Sequence, residues 1–206
     1  MNKFYKCTKA IFGGLFKFIY RMKFINRDKE VTDKPFIVCA NHTSLMDVTA
    51  VVLAFKKNQV RFMAKKEIFK VPVLSWFARS MGAFPVDRKN GDVAAIKKTI
   101  EMLKNGDTVG IFPQGTRHPY VNPRETEVKD GIGMIASRAG VGIVPMYIKT
   151  KKGKLKLFHR TRVIIGDYIS PEELNFDATG KEKYKLIANY VFDKICDLGE
   201  QTEVKW

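Results

Sequence analysis

The sequence predicts an α/β fold: a single domain with a mainly parallel central sheet flanked by helices, preceded by an N-terminal amphipathic helix. Three observations carry this reading. Strand-like and helix-like patterns alternate along most of the chain, as in sheets built from strand–helix–strand units. The chemistry-bearing segments fall just after strand-like runs, where parallel sheets build their sites. And 206 residues, 45% of them hydrophobic, fill one domain with an ample core.

The first 27 residues read as one basic amphipathic helix. At about 100° per residue, Phe4, Cys7, Ile11, Leu15, Phe18, Ile19, Met22 and Ile25 share one face. Lys3, Lys6, Lys9, Lys17, Arg21, Lys23 and Arg27 occupy the other. Such a helix either packs on the domain or lies in a membrane interface, its lysines on anionic headgroups; a polar face without acids favours the interface. Residues 1–30 are therefore expected to form a membrane-interface segment and residues 31–206 the globular domain. Phe36–Ala40 reads as a strand, Asp47–Lys57 as a helix and Val60–Ala64 as a strand. Val73–Met81 is a helix opened by Pro72, and Ala83–Val86 is short and extended. Val93–Lys104 is a helix capped by Asp92 and stopped by Asn105-Gly106. Thr108–Phe112 is a buried strand, Ile132–Ala139 a helix ended by Gly140, and Val141–Ile148 a strand. Leu155–Phe158 and Arg162–Ile165 read as a strand pair, and Tyr184–Leu198 as a terminal helix.

Charge narrows the partners. Thirty-seven basic against 21 acidic residues give +16, which favours an anionic partner. Residues 1–27 and 149–162 each hold seven bases and no acid. No nucleic acid is expected, because the aromatics lie in apolar runs rather than among the basic residues. The 149–162 cluster can face anionic lipid, the acidic surface of a carrier protein, or solvent alone. Three scattered cysteines suggest neither a disulfide framework nor a metal site, and a reducing interior. No run of 18 apolar residues suggests a membrane span.

Four segments carry chemistry. In Asn41-His42-Thr43-Ser44-Leu45-Met46-Asp47, His42 can take a proton near neutral pH and Asp47 can fix its tautomer. Ser44 and Asp47 also have the spacing of a helix capping box, so Asp47 has a structural role compatible with the catalytic one. In Met81-Gly82-Ala83-Phe84-Pro85-Val86-Asp87-Arg88, Arg88 offers a planar fork for phosphate or a salt bridge to Asp87. In Ile111-Phe112-Pro113-Gln114-Gly115-Thr116-Arg117, a glycine, a hydroxyl and a guanidinium can bind an anion, or the segment is a plain strand-ending turn. The fourth is Ile143-Val144-Pro145-Met146.

Taken in order, these segments resemble the four motif blocks of the glycerolipid acyltransferases, and most of all the bacterial 1-acylglycerol-3-phosphate acyltransferases. The resemblance spans residues 41–146. It implies His42 as general base with Asp47 orienting it, and Lys65, Arg88, Gln114, Gly115, Thr116 and Arg117 holding the phosphate and glycerol of the acceptor. It implies an acyl-CoA or acyl-carrier-protein donor, a lysophosphatidic acid acceptor, no cofactor, no metal, and a peripheral place on the cytoplasmic face of the cell membrane. Another lysophospholipid or glycerol 3-phosphate stays open as acceptor, since Gln114 stands where the family usually has glutamate. A non-catalytic basic module for anionic membrane or nucleic acid is the alternative of another class.

Overall fold

The computed structural model describes residues 3–80, 82–86, 92–204 and 206. Seven strands form one sheet: β1 (Met22–Ile25), β2 (Ile37–Ala40), β3 (Val60–Lys65), β4 (Ala83–Val86), β5 (Thr108–Ile111), β6 (Ile143–Thr150) and β7 (Thr161–Ile165). Six helices accompany them: α1 (Lys3–Ile19), α2 (Asp47–Ala54), α3 (Pro72–Ser80), α4 (Asp92–Lys104), α5 (Gly131–Ala139) and α6 (Gly180–Gln201). The strand order is β1-β7-β6-β2-β5-β3-β4. Among the described strands β6 and β7 alone pair antiparallel; β6-β2-β5-β3-β4 is a continuous parallel block.

Period-two alternation divides the core into two layers. Val38 and Ala40 of β2 face the layer of α1 and α2, whereas Ile37 and Cys39 face that of α4, α5 and α6. All four are buried, because helices cover both faces of a parallel sheet. Gly13 lets α1 approach α2: a Cβ there would lie 2.8 Å from Leu53 Cδ2. The C-terminal end of α2 is satisfied from outside the helix. Arg27 donates to Leu53 O (2.5 Å) and Ala54 O (2.7 Å), and the Lys9 ammonium donates to Phe55 O. Burial pushes Lys9 down to about 8.

Three sequence expectations are corrected. The N-terminal helix stops at Ile19 rather than running to Arg27; Arg21 takes a left-handed backbone (φ 43°), and Met22–Ile25 becomes the edge strand β1, parallel to β7. Leu155–Phe158 is not a strand: Gly153 and Phe158 both have positive φ, which breaks the extended run, and β7 pairs with β6 and β1 instead. Helix α2 ends at Ala54, short of Lys57, because Glu30 takes the N–H groups of Lys56, Lys57 and Asn58. The other elements fall within a few residues of expectation, and Gly140 closes α5 at φ 66°. The end of the expected helix at Met81 and the capping side chain of Asp92 lie outside what is described.

Candidate active site

The carboxyl edge of the parallel block presents three neighbouring loops. In sheet order they follow β2 (Asn41–Met46), β5 (Phe112–Arg117) and β3 (from Lys66). The β2 loop is held at its root by buried Asn41. Its Oδ1 accepts Ile148 N–H (2.7 Å) and its Nδ2 donates to Ile148 O (3.2 Å). A side chain thus continues the β2–β6 ladder one step beyond Ala40, which pairs with Met146.

His42 follows at once. Its Nδ1 lies 3.0 Å from Asp47 Oδ2, and Asp47 is fully buried. The same Oδ2 accepts the N–H groups of Thr43 (2.5 Å) and Ser44 (2.7 Å). Ser44 Oγ in turn accepts Met46 N–H at 3.3 Å. Asp47 faces the imidazole and takes Ser44 N–H as a capping box requires, but the box is half formed: Asp47 N–H goes to Ser44 O rather than to its hydroxyl, and Met46 is the N-cap of α2. A carboxylate with no proton to give makes Nδ1 the donor, so the proton sits on Nδ1 and Nε2 keeps its lone pair. The imidazole stacks on Phe112 (centroids 3.9 Å, planes 10° apart), which stacks on Phe62 (5.6 Å). Gly110 makes that shelf possible, since a Cβ there would come within 2.2 Å of the Phe62 ring.

The β5 loop clamps the histidine through its backbone. Gln114 Oε1 accepts His42 N–H (2.7 Å), and His118 N–H donates to His42 O (2.8 Å). Gln114 is buried, and its Nε2 donates to Thr126 Oγ1 (2.8 Å), which donates to Pro123 O (2.6 Å). Both ends of this amide are thus bonded to protein rather than turned to an acceptor, which is where it departs from the expectation for Gln114. A glutamate would still accept from His42 N–H, and would accept from the Thr126 hydroxyl once that hydroxyl turns from Pro123 O. Gln114→Glu is therefore expected to change kcat/KM less than about threefold for every acceptor, a difference under 1 kcal/mol; a large gain for one acceptor in a substrate panel would restore the selectivity role.

Gly115 (φ 73°), Thr116 and Arg117 stand exposed between these clamps. Thr116 Oγ1 lies 3.0 Å from His118 Nε2, and Arg117 has no ion-pair partner among the described residues. The backbone of Lys65 ends β3 on the same edge, beside β5; its side chain lies outside the described residues, as does Arg88. Sequence reasoning missed three contributors. Phe112 ends an expected strand and nothing in its segment marks its ring; Thr126 is 12 residues from Gln114 and has no motif to mark it; His118 lies just past the Ile111–Arg117 segment, and it is its backbone N–H that holds His42. Cys39, buried beneath the site, has its thiol pushed far up by desolvation and is no nucleophile. Among the described residues no cluster of histidine, cysteine and carboxylate side chains could hold a metal ion.

A strand-end histidine with one nitrogen on a buried carboxylate, and an exposed Gly115-Thr116-Arg117 loop alongside, is an arrangement equipped to take a proton from a hydroxyl. The chain belongs to the acyltransferase family, whose model matches residues 21–149. It is 32% identical over 173 residues to a 1-acyl-sn-glycerol-3-phosphate acyltransferase of Streptococcus pneumoniae, covering 83% of this chain and 63% of that protein. A Bacillus subtilis protein of the same name is 33% identical over 144 residues, 66% of this chain and 70% of its own. The crystal structure of the 1-acyl-sn-glycerophosphate (LPA) acyltransferase PlsC from Thermotoga maritima superposes with a TM-score of 0.71 at 29% identity, over 99% of this chain and 80% of that one.

Proposed function

We propose that this chain is a 1-acyl-sn-glycerol-3-phosphate acyltransferase, transferring a fatty acyl group from a thioester to the sn-2 hydroxyl of lysophosphatidic acid to give phosphatidic acid. The observation that carries the reading is the His42–Asp47 pair at 3.0 Å beside an exposed Gly115-Thr116-Arg117 loop. The names of the relatives supply the substrate. His42 Nε2 takes the acceptor's hydroxyl proton as the oxygen attacks the thioester carbonyl, and Asp47 stabilises the imidazolium that forms. Collapse of the tetrahedral intermediate expels the thiolate of CoA or acyl-carrier protein, which takes the proton back from His42. No acyl-enzyme is formed and the reaction needs no cofactor.

Arg117 and the Gly115-Thr116 backbone hold the acceptor phosphate, with Lys65 and Arg88 completing the site. Gln114 supports the reading from beneath, by positioning His42. The exposed apolar stripe of α1 (Ile11, Leu15, Phe18) lies in the bilayer surface that holds the acceptor. Trp76 of α3 extends that stripe by edge-on contacts with Phe4 and Phe12 at 6.1 Å. No described helix is long and apolar enough to cross a membrane. We place the chain peripherally on the cytoplasmic face, where acyl-CoA and acyl-carrier protein are found.

The test is thiol release from acyl-CoA and from acyl-carrier protein, with and without lysophosphatidic acid. Acceptor-dependent release is expected; binding without release would leave only a non-catalytic module. In the same assay Arg117→Ala is expected to raise KM for lysophosphatidic acid about 10- to 100-fold with kcat little changed, the loss of one charged contact worth about 1.5–3 kcal/mol.

A further inference from the structure

The β6–β7 connection, residues 151–160, leaves the sheet at the carboxyl end of β6, the same edge from which the β2 loop carries His42. It is firmly rooted. Leu155 is buried in the core beside α1 and α2. Phe158 N–H donates to Ile19 O at the end of α1 (2.6 Å), and Gly153 O accepts Tyr120 N–H from the loop following the site (3.0 Å). The connection therefore bridges the proposed interfacial helix and the loop that clamps His42.

Its tip is built unlike a solvent turn. Leu157 and Phe158 are exposed, Phe158 by 65%, and the neighbouring Phe18 of α1 by 75%. Phe158 has a left-handed backbone (φ 60°), where glycine sits without strain and a phenylalanine does not. A strained position thus carries a large apolar ring that the fold leaves in water. Seven bases and no acid line residues 149–162. Lys149 is occupied with Gly199 O of α6 and with the O of Thr202, which caps that helix, and Arg162 is buried. Lys151, Lys152, Lys154, Lys156 and Arg160 remain around the tip, Lys154 and Lys156 over the exposed Tyr120 ring at 5.5 and 5.2 Å.

Resting on the reading of α1 as an interfacial helix, we propose that this connection is a second membrane-docking element, seating Leu157 and Phe158 in an anionic bilayer beside Phe18 while the surrounding lysines and Arg160 meet headgroup phosphates. Charge alone suits an acidic protein equally. The apolar tip, continuous with α1 through the Phe158–Ile19 hydrogen bond, suits a lipid surface, which gives such side chains somewhere to be buried. Two contacts flanking the site also fix which edge of the sheet meets the bilayer.

The experiment is co-sedimentation of the purified full chain with phosphatidylcholine vesicles, with and without phosphatidylglycerol. It compares the wild type, Phe18→Ser, and a Leu157→Ser/Phe158→Gly double variant, glycine being chosen to suit the left-handed backbone. The double variant is expected to lose affinity for anionic vesicles by roughly tenfold or more. Its melting temperature and its turnover of a short-chain, water-soluble lysophosphatidic acid should stay unchanged. Unchanged vesicle affinity in the double variant, with loss in Phe18→Ser, overturns the second element and leaves the helix reading intact. A wild type that ignores anionic vesicles overturns both. Unchanged vesicle affinity with a raised KM for acyl-carrier-protein thioester but not for acyl-CoA assigns the patch to an acidic carrier and overturns the proposal.

Discussion

His42→Ala is expected to lower kcat by about 10²–10⁴, the contribution of a positioned general base, while leaving KM for the acceptor nearly unchanged. The selectivity of the effect follows from how the histidine is held. The contacts with Gln114 and His118 use the backbone N–H and C=O of residue 42, which alanine keeps. The Gly115–Arg117 loop, the proposed phosphate site, is therefore expected to stay in place. Asp47 keeps the N–H groups of Thr43 and Ser44, so no buried carboxylate is stranded. The fold loses the face-on contact with Phe112 and one hydrogen bond, together about 1–2 kcal/mol. Steady-state kinetics and thermal melting check both halves. Full turnover in purified His42→Ala protein would falsify the mechanism.

Asp47→Asn is expected to cost as much activity and more stability. One carboxylate oxygen receives three donors: His42 Nδ1–H, Thr43 N–H and Ser44 N–H. Hydrogen bonds to a charged acceptor are roughly twice as strong as neutral ones. The asparagine oxygen can replace the geometry but not the charge, and its NH₂ points a donor into a buried site built of donors. We expect kcat to fall about 10²–10⁴, because the imidazolium formed on proton transfer loses its counter-charge. We also expect a stability loss of about 2–4 kcal/mol, set by weakened bonds at a group with no access to water. The two variants separate in a melting experiment: a small loss for His42→Ala and a larger one for Asp47→Asn. Equal melting temperatures would show that Asp47 serves the histidine alone.

The catalytic turn was legible because its parts are close in sequence. Asp47 reaches back across one turn to Thr43 and Ser44, and that reach is encoded in spacing. The parallel sheet was legible from alternation, and Gly140 and Asn105-Gly106 mark helix ends by their own conformational freedom. Strand β1 was hidden for the opposite reason. Met22–Ile25 fits the apolar face of a helix as well as a four-residue strand, and neither Gly nor Pro announces the break at Tyr20-Arg21. Its conformation is decided by the open edge of β7, 139 residues downstream at the Met22–Thr161 pairing. The duty of Gln114 was hidden likewise, because its partner His42 is 72 residues away. A residue's type can announce chemistry, but which way a buried amide points is settled by groups that spacing does not reveal.

The double grip on residue 42 has a mechanical consequence. Gln114 and His118 flank the Gly115–Arg117 loop on both sides, and their bonds end on the two peptide groups either side of the His42 Cα. The exposed loop and the backbone that carries the imidazole are therefore coupled at two points. Strain applied to that loop would reach the histidine through both hydrogen bonds.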